Sequence, residues 1–198
     1  MNHLAQKMQA LMADPERAHK IDAFVKKLEG GALTTPKRIT ENLKSFASEL
    51  VQDQEPSFLA VTPKPWSRMN CCDLNVRKII QDEGGEEILG YKIWGIDDVY
   101  FEAIPHVVWK KTDGEIVDIT FNPDGEMKIV FVEAPELQTV RDETMGDKKR
   151  GIFDEDLKAL WEIENENERN IHIVRPSDQE LWATELTYKK WKKSRKKA

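Results

Sequence analysis

The sequence predicts an α+β fold in which one helix and an antiparallel β-sheet form the core and further helices flank it at both ends. Apolar residues recur at helical spacing near the start, segments rich in β-branched and aromatic residues alternate with turns in the middle, and helical spacing returns near the end. We divide the 198 residues into an N-terminal helical segment (1–55), a helix-plus-sheet core (56–135) and a C-terminal helical segment (136–198), within one compact domain.

The N-terminal segment contains two predicted helices. Asp14-Pro15-Glu16 is typical of a helix start, and Gly30-Gly31 ends the helix that follows. Thr35-Pro36 precedes a second run of apolar residues at helical spacing. Because residues 53–68 contain three prolines, we expect a loop there.

The predicted core consists of a short helix and four strands. Residues 73–81 form the helix, which ends at Gly84-Gly85. The turn sequences Thr112-Asp-Gly114 and Asn122-Pro-Asp-Gly125 separate the last three strands, which favours antiparallel pairing. The predicted strands are 87–94, 99–110, 115–121 and 127–133.

The C-terminal segment is predicted to be helical and ends in a basic tail. Asp154 caps one helix, and Ser177-Asp-Gln-Glu180 is a capping box ahead of another. The net charge is −6, yet residues 189–198 hold six lysines, one arginine and no acid. The cations from Lys189 to Lys197 either interact favourably with the negative, C-terminal end of a helix dipole or contact an anionic partner.

Composition and cysteine usage favour a cytoplasmic protein. No run approaches the roughly 20 apolar residues that a membrane-spanning helix needs, and the N-terminus lacks the apolar core of a secretory signal. Cys71 and Cys72 are neighbours, and a disulfide between neighbours is strained. We therefore expect two free thiols and a reducing compartment.

Cys72 is the candidate nucleophile. The predicted helix begins just after it, so its thiol would lie at a helix N-terminus, where backbone N–H groups and the helix dipole stabilise a thiolate. The same N–H groups could hold a developing oxyanion. The alternative is that Cys71 and Cys72 only fill the core, as most free cysteines do.

His106 and Asp118 lie on neighbouring predicted strands. A histidine in an apolar strand often has only a structural role. A carboxylate within a β-branched strand, however, costs free energy unless it is paired. His106 is the obvious partner for Asp118 across the hairpin.

The turn decides whether His106 and Asp118 can meet. A two-residue turn at Asp113-Gly114 puts the two side chains on opposite faces of the sheet. A three-residue turn, 112–114, sets Val108 opposite Asp118 and makes His106 its diagonal neighbour on one face.

Cysteine, histidine and aspartate together form the arrangement of nucleophilic catalysis, with Cys72 as nucleophile, His106 as base and Asp118 orienting the histidine. We expect the helix 73–81 to pack against the sheet face that carries His106 and Asp118. The Cys72 thiol should then lie within hydrogen-bonding reach of His106.

The chain order of these residues resembles that of the papain-like and transglutaminase-like superfamily. The motifs are similar to those of a small bacterial and phage family with the pattern Cys-x-x-Asn-Val, Gly-Gly, Gly-Trp-x-Ile-Trp, Glu-Ala-x-His-x-Val-Trp and Asp-Gly-x-x-x-Asp-x-Thr-Pro. The resemblance covers residues 65–133, with Tyr91 in place of tryptophan, Phe121 in place of proline and Pro105 before the histidine. The matching stretches are Cys72-Asp-Leu-Asn75-Val76, Gly84-Gly85, Gly90-Tyr-Lys-Ile-Trp94, Glu102-Ala-Ile-Pro-His106-Val-Val-Trp109 and Asp113-Gly-Glu-Ile-Val-Asp118-Ile-Thr120.

The resemblance implies a core of papain/transglutaminase-like type and selects Cys72, not Cys71, as the nucleophile. Asn75 follows one helical turn later and is either a site residue or a helix-surface residue. Trp94 and Trp109 either bind substrate or belong to the core. Some relatives carry a cysteine-rich metal motif that this chain lacks, so we predict no metal ion and no cofactor.

Two classes of function follow. The first is a cysteine hydrolase or acyl transferase that acts on an amide of a protein or small molecule through a thioester on Cys72: a peptidase, glutamine deamidase or amidase. The second is a non-catalytic binding or accessory protein, of phage or bacterial origin, on a papain-like scaffold.

Overall fold

A computed structural model of the protein describes residues 3–138, 148–168 and 176–196. Three helices precede the first strand, one helix lies between the first two strands, and three helices follow the last strand. The helices are α1 (His3–Leu11), α2 (Pro15–Glu29), α3 (Glu41–Leu50), α4 (Cys72–Glu83), α5 (Glu155–Glu168), α6 (Asp178–Thr184) and α7 (Tyr188–Arg195). The strands are β1 (Ser57–Val61), β2 (Glu86–Ile96), β3 (Tyr100–Lys110), β4 (Ile116–Asp118), β5 (Lys128–Glu133) and β6 (Lys149–Ile152).

Five of the strands close into a barrel. The order is β2-β5-β1-β4-β3, and pairing of β2 with β3 closes the ring, while β6 pairs with β3 outside it. β1 runs parallel to β4, whereas the other pairings are antiparallel, so the barrel is mixed. The predicted fold class, a helix plus an antiparallel sheet of papain/transglutaminase-like type, is therefore wrong.

Neither β1 nor β6 was predicted from the sequence, and β1 explains this error. β1 occupies Ser57–Val61, inside the stretch that we expected to be a loop because of its prolines. Pro56 and Pro63 flank this strand and do not interrupt it, so they leave its hydrogen-bonding groups intact. By inserting between β4 and β5, β1 joins the ends of the sheet into a ring.

The barrel interior is apolar at one end. Val61, Val108, Ile129 and Phe131 point inward from three strands, β1, β3 and β5, and are buried together. Because side chains alternate along a strand, the outer face carries their neighbours, and two helices cover it. α3 packs against Ile93, Phe101 and other outer residues of β2, β3 and β5, and α4 covers another part of the same face.

The two helical flanks meet on one side of the barrel. Leu11 of α1, Phe24 of α2 and Leu157 of α5 share a core cluster with Tyr100 of β3. Residues far apart in sequence thus bury one continuous apolar surface. Within the described ranges, no helix combines the length and the apolar character needed to cross a membrane.

We predict that Gly90→Ala destabilises the barrel. A Cβ at this position would overlap the Val132 carbonyl oxygen and the Phe131 ring, across the contact between β2 and β5. We expect the free energy of unfolding to fall by about 1–3 kcal/mol, as overpacking usually causes. Urea denaturation measures this change. Gly30→Ala is the control, because a Cβ there would lie 3.1 Å from its nearest atom, Lys26 O, which is a milder contact than the overlap at Gly90. Equal stability of Gly90→Ala and the wild type would contradict closure of the barrel at this contact.

Candidate active site

Cys72 is the first residue of α4. Asn70, in the left-handed region with φ 56°, turns the chain into the helix, a conformation that asparagine tolerates better than most residues. The N-cap residue, Cys71, makes no side-chain cap hydrogen bond. Cys71 is fully buried, with 0% exposure, whereas Cys72 is half-buried. The thiol at the helix start is therefore the more accessible of the two.

Asn75 holds the loop that leads into Cys72. Its Oδ1 accepts a hydrogen bond from the Arg68 N–H at 2.8 Å, and its Nδ2 donates to the Arg68 carbonyl at 2.7 Å. Nδ2 also donates to Thr120 Oγ1 at 3.0 Å. The sequence suggested a substrate-binding role. In the structure the side chain is buried, and its hydrogen bonds to the Arg68 backbone stabilise the loop ahead of Cys72.

His106 contacts Asp118 as the three-residue turn predicts. Trp109 lies opposite Val117 and Lys110 opposite Ile116, which is the register of a turn at 112–114. His106 Nε2 lies 3.0 Å from Asp118 Oδ2. Asp118 Oδ1 accepts the Thr120 N–H at 2.7 Å, so both carboxylate oxygens have partners.

The Cys72 side chain lies beside the His106 imidazole, near enough for its charge to raise the pKa of the ring. Since Nε2 faces Asp118, the remaining ring nitrogen, Nδ1, is the one available to the thiol. The structure thus brings the three predicted residues into one chain of contacts, from the start of α4 to the end of β4. This is the connectivity that a nucleophile, a base and an orienting group require.

The body of α4 does not pack where we expected. Its residues Val76 and Ile79 pack against Val107, Trp109 and Val117. These side chains alternate with those of His106 and Asp118, so the prediction that the helix covers the His106/Asp118 face is wrong. Only the N-terminus of the helix meets that side of the site, through Cys72.

One edge of β3 lacks a strand partner around His106 within the described ranges. On the edge away from β2, β4 pairs with Trp109 and Lys110, and β6 pairs with Tyr100–Ala103. Between them, residues 104–108 have no strand partner on that edge among the described residues. His106 lies in this unpaired stretch beside Pro105, which lacks a backbone donor in any case.

The charges of the neighbours determine the protonation of the pair. Burial alone would lower the pKa of His106, but the negative charges of Asp118 and Cys72 outweigh it and raise this pKa to about 9. Burial would raise the pKa of Asp118, but His106, Lys92 and the Thr120 N–H lower it. At neutral pH the site therefore contains an imidazolium beside a carboxylate.

Lys92 is a site residue that the sequence did not predict. It is only 3% exposed, its Nζ donates a short hydrogen bond to Asn122 Oδ1, and Nζ lies 4.0 Å from Asp118 Oδ2. Burial lowers the pKa of this lysine, and the Asp118 charge opposes that effect. The presence of a lysine within the predicted strand 87–94 could have pointed to this residue. Its orientation toward Asp118, however, depends on the register of the barrel strands.

The two tryptophans with predicted substrate-binding roles differ in position. Trp94 is half-buried on the same strand face as Lys92, whose Nζ lies 4.8 Å from the Trp94 ring centroid. Trp109 lies on the outer face of β3, where its Nε1 donates to the Gly84 carbonyl at 2.9 Å. Trp94 is therefore the tryptophan that lies near the Lys92–Asp118 pair, whereas Trp109 anchors the end of α4.

The C-terminal segment holds the loops on both sides of the site. The Tyr188 N–H donates to the Ser67 carbonyl at 2.8 Å, in the loop ahead of Cys72. The Trp191 Nε1 donates to the Pro123 carbonyl at 3.3 Å, in the loop that follows β4. These long-range contacts were not predicted. Lys197, at the end of the basic tail, lies outside the described residues.

We predict that Cys72 is alkylated much faster than Cys71. The Cys72 thiol is half-exposed and contacts His106, whereas Cys71 is fully buried. Brief treatment with iodoacetamide at neutral pH, followed by peptide mass spectrometry, measures both sites in the same molecule. His106→Gln serves as a comparison, since it should slow labelling of Cys72 and leave Cys71 unchanged. Preferential labelling of Cys71 would mean that the nucleophile is assigned to the wrong thiol.

No protein-family model, curated protein or solved structure matches the chain. The family resemblance drawn from the motifs therefore stays a prediction. Within the described ranges, no cluster of three or more histidine, cysteine or acidic side chains is suited to hold a metal ion. The function is best argued from the geometry around Cys72.

Proposed function

We propose that the protein is a cysteine hydrolase or acyl transferase that acts on an amide through a thioester on Cys72. The observation that carries this proposal is the buried His106 side chain, which contacts Cys72 and, through Nε2 at 3.0 Å, Asp118. A histidine linked to both a helix-start thiol and a carboxylate is the arrangement that activates a cysteine nucleophile.

In the first half-reaction, the Cys72 thiolate attacks the amide carbonyl carbon. The negative charge moves to the carbonyl oxygen, and backbone N–H groups at the start of α4 can stabilise it, since no side chain caps them from Cys71. The C–N bond then breaks while the His106 imidazolium gives its proton to the departing amine. The products are a thioester on Cys72 and a neutral imidazole.

In the second half-reaction, water or another acceptor attacks the thioester. His106 takes the proton of the acceptor, the C–S bond breaks, and the thiolate and the imidazolium return. Asp118 stabilises the imidazolium in both steps and holds the ring in the orientation that the transfer needs. Peptidase, deamidase and transferase reactions share these steps and differ in what binds around the thiol.

Acylation by p-nitrophenyl acetate tests the proposal without knowledge of the natural substrate. We expect a burst of nitrophenolate and an acetyl group on Cys72, detected by mass spectrometry. Cys71→Ala should keep the burst and Cys72→Ala should abolish it. If acetylation is slow and spread over surface lysines in the wild type, the protein is a binding protein and not a cysteine enzyme.

We predict that Asp118→Asn slows the acetylation of Cys72 by about two to four orders of magnitude, because the imidazole loses its orienting carboxylate. A purely structural Asp118 would behave differently: the variant would lose roughly 1–3 kcal/mol of stability with thiol reactivity unchanged. Burst rate and melting temperature, measured on the same preparation, separate the two roles. Thr120→Ala is a control, since it removes the Thr120 hydroxyl that contacts Asn75 and keeps the backbone N–H to Asp118.

A further inference from the structure

Helix α7 has two chemically different faces. On one face, Trp191 and Arg195 donate hydrogen bonds to the carbonyls of Pro123 and Asp124 and hold the helix on the loop after β4. On another face, lysines recur at the i, i+3, i+4 and i+7 positions of a helix, which align along one side. These lysines are Lys189, Lys192, Lys193 and Lys196.

The four lysines line a concavity of about 500 Å³, together with Tyr188 and Pro65. Within residues 3–138, 148–168 and 176–196, none of the four forms an ion pair with a carboxylate. Four like charges around one concavity repel each other, and the helix dipole favours cations at the helix end without requiring them on one face. The groove therefore has the charge and shape to receive an anionic ligand.

The groove is connected to the loop that leads into the nucleophile. The Lys189 N–H donates a hydrogen bond to the Pro65 carbonyl at 3.0 Å, and the neighbouring Tyr188 N–H donates one to the Ser67 carbonyl. Pro65 precedes Cys72 by seven residues, and seven residues of chain span at most roughly 25 Å. A polypeptide that occupies the groove can thus also reach the thiol.

We propose that this lysine groove binds an acidic segment of a polypeptide. Resting on the function proposed above, we further infer that this segment belongs to the substrate and lies within about eight residues of the amide that Cys72 attacks. The mixed lining, with lysine stems beside Pro65 and one aromatic ring, suits side chains that are partly apolar and end in a carboxylate.

Two observations favour an acidic peptide over a nucleic acid. Subtracting the seven positive charges of residues 189–198 from the net charge of −6 leaves −13 for the rest of the chain, which favours an anionic segment short enough to stay in the groove over a long polyanion that extends beyond it. The Tyr188 ring already stacks on Trp191, with centroids 5.7 Å apart, and contacts Phe121. It is therefore poorly available as a platform for stacking bases.

Fluorescence anisotropy with a labelled deca-glutamate peptide and the full chain tests the proposal. Lys193→Gln should weaken binding by roughly two- to fivefold, as loss of one exposed ion pair does, and replacement of all four groove lysines by glutamine should abolish it. Lys190→Gln is the matched control, because it removes one charge from the same helix outside the groove lining. Equal weakening by Lys190→Gln and Lys193→Gln would overturn the groove in favour of diffuse attraction.

The identity of the ligand is tested in parallel. Tighter binding of a labelled deca-thymidylate, or of vesicles that contain phosphatidylserine, than of deca-glutamate would overturn the choice of an acidic peptide. Cys72→Ala should bind deca-glutamate like the wild type. A wild-type protein that binds deca-glutamate in the groove but forms no acetyl-Cys72 would reject only the proposed function. An acylating enzyme whose groove variants bind deca-glutamate normally would reject only the groove.

Discussion

The hydrogen bond between His106 Nε2 and Asp118 Oδ2 is the interaction on which the site depends. A fully buried carboxylate costs free energy unless it is compensated, and here His106, Lys92 and the Thr120 N–H compensate it. The three partners come from β2, β3 and the chain after β4, so the site requires a closed barrel in the correct register. A slip of β4 by one residue would move Asp118 to the outer face and separate it from His106.

Asp118 is enclosed together with basic partners. Its Oδ2 lies 3.0 Å from His106 Nε2 and 4.0 Å from Lys92 Nζ. A buried carboxylate with such partners is cheaper to enclose than an isolated one. Asn122, which accepts the hydrogen bond from Lys92, links this group to the loop that the C-terminal helix holds in place.

Local sequence rules predicted the parts of the structure that local chemistry determines. The turn Thr112-Asp-Gly114 permitted the register that joins His106 to Asp118, next to a two-residue alternative, and Gly114 adopts the positive φ of 91° that the three-residue turn needs. Strand β1 was missed because flanking prolines resemble a loop when the pairing partners are unknown. The position of Lys92 depends on barrel closure and the contacts of α7 depend on residues about 70–120 positions away, so no local pattern could predict them.

The most direct test of the account is the titration of His106 by NMR of ¹⁵N-labelled protein. We expect the imidazole of the wild type to titrate with a pKa of about 9, because Asp118 and Cys72 stabilise its charged form despite burial. In Cys72→Ala this pKa should fall, since one of the two negative charges is gone. A wild-type pKa near the ordinary value of about 6.5, unchanged in Cys72→Ala, would contradict a site in which His106 joins the thiol to the carboxylate.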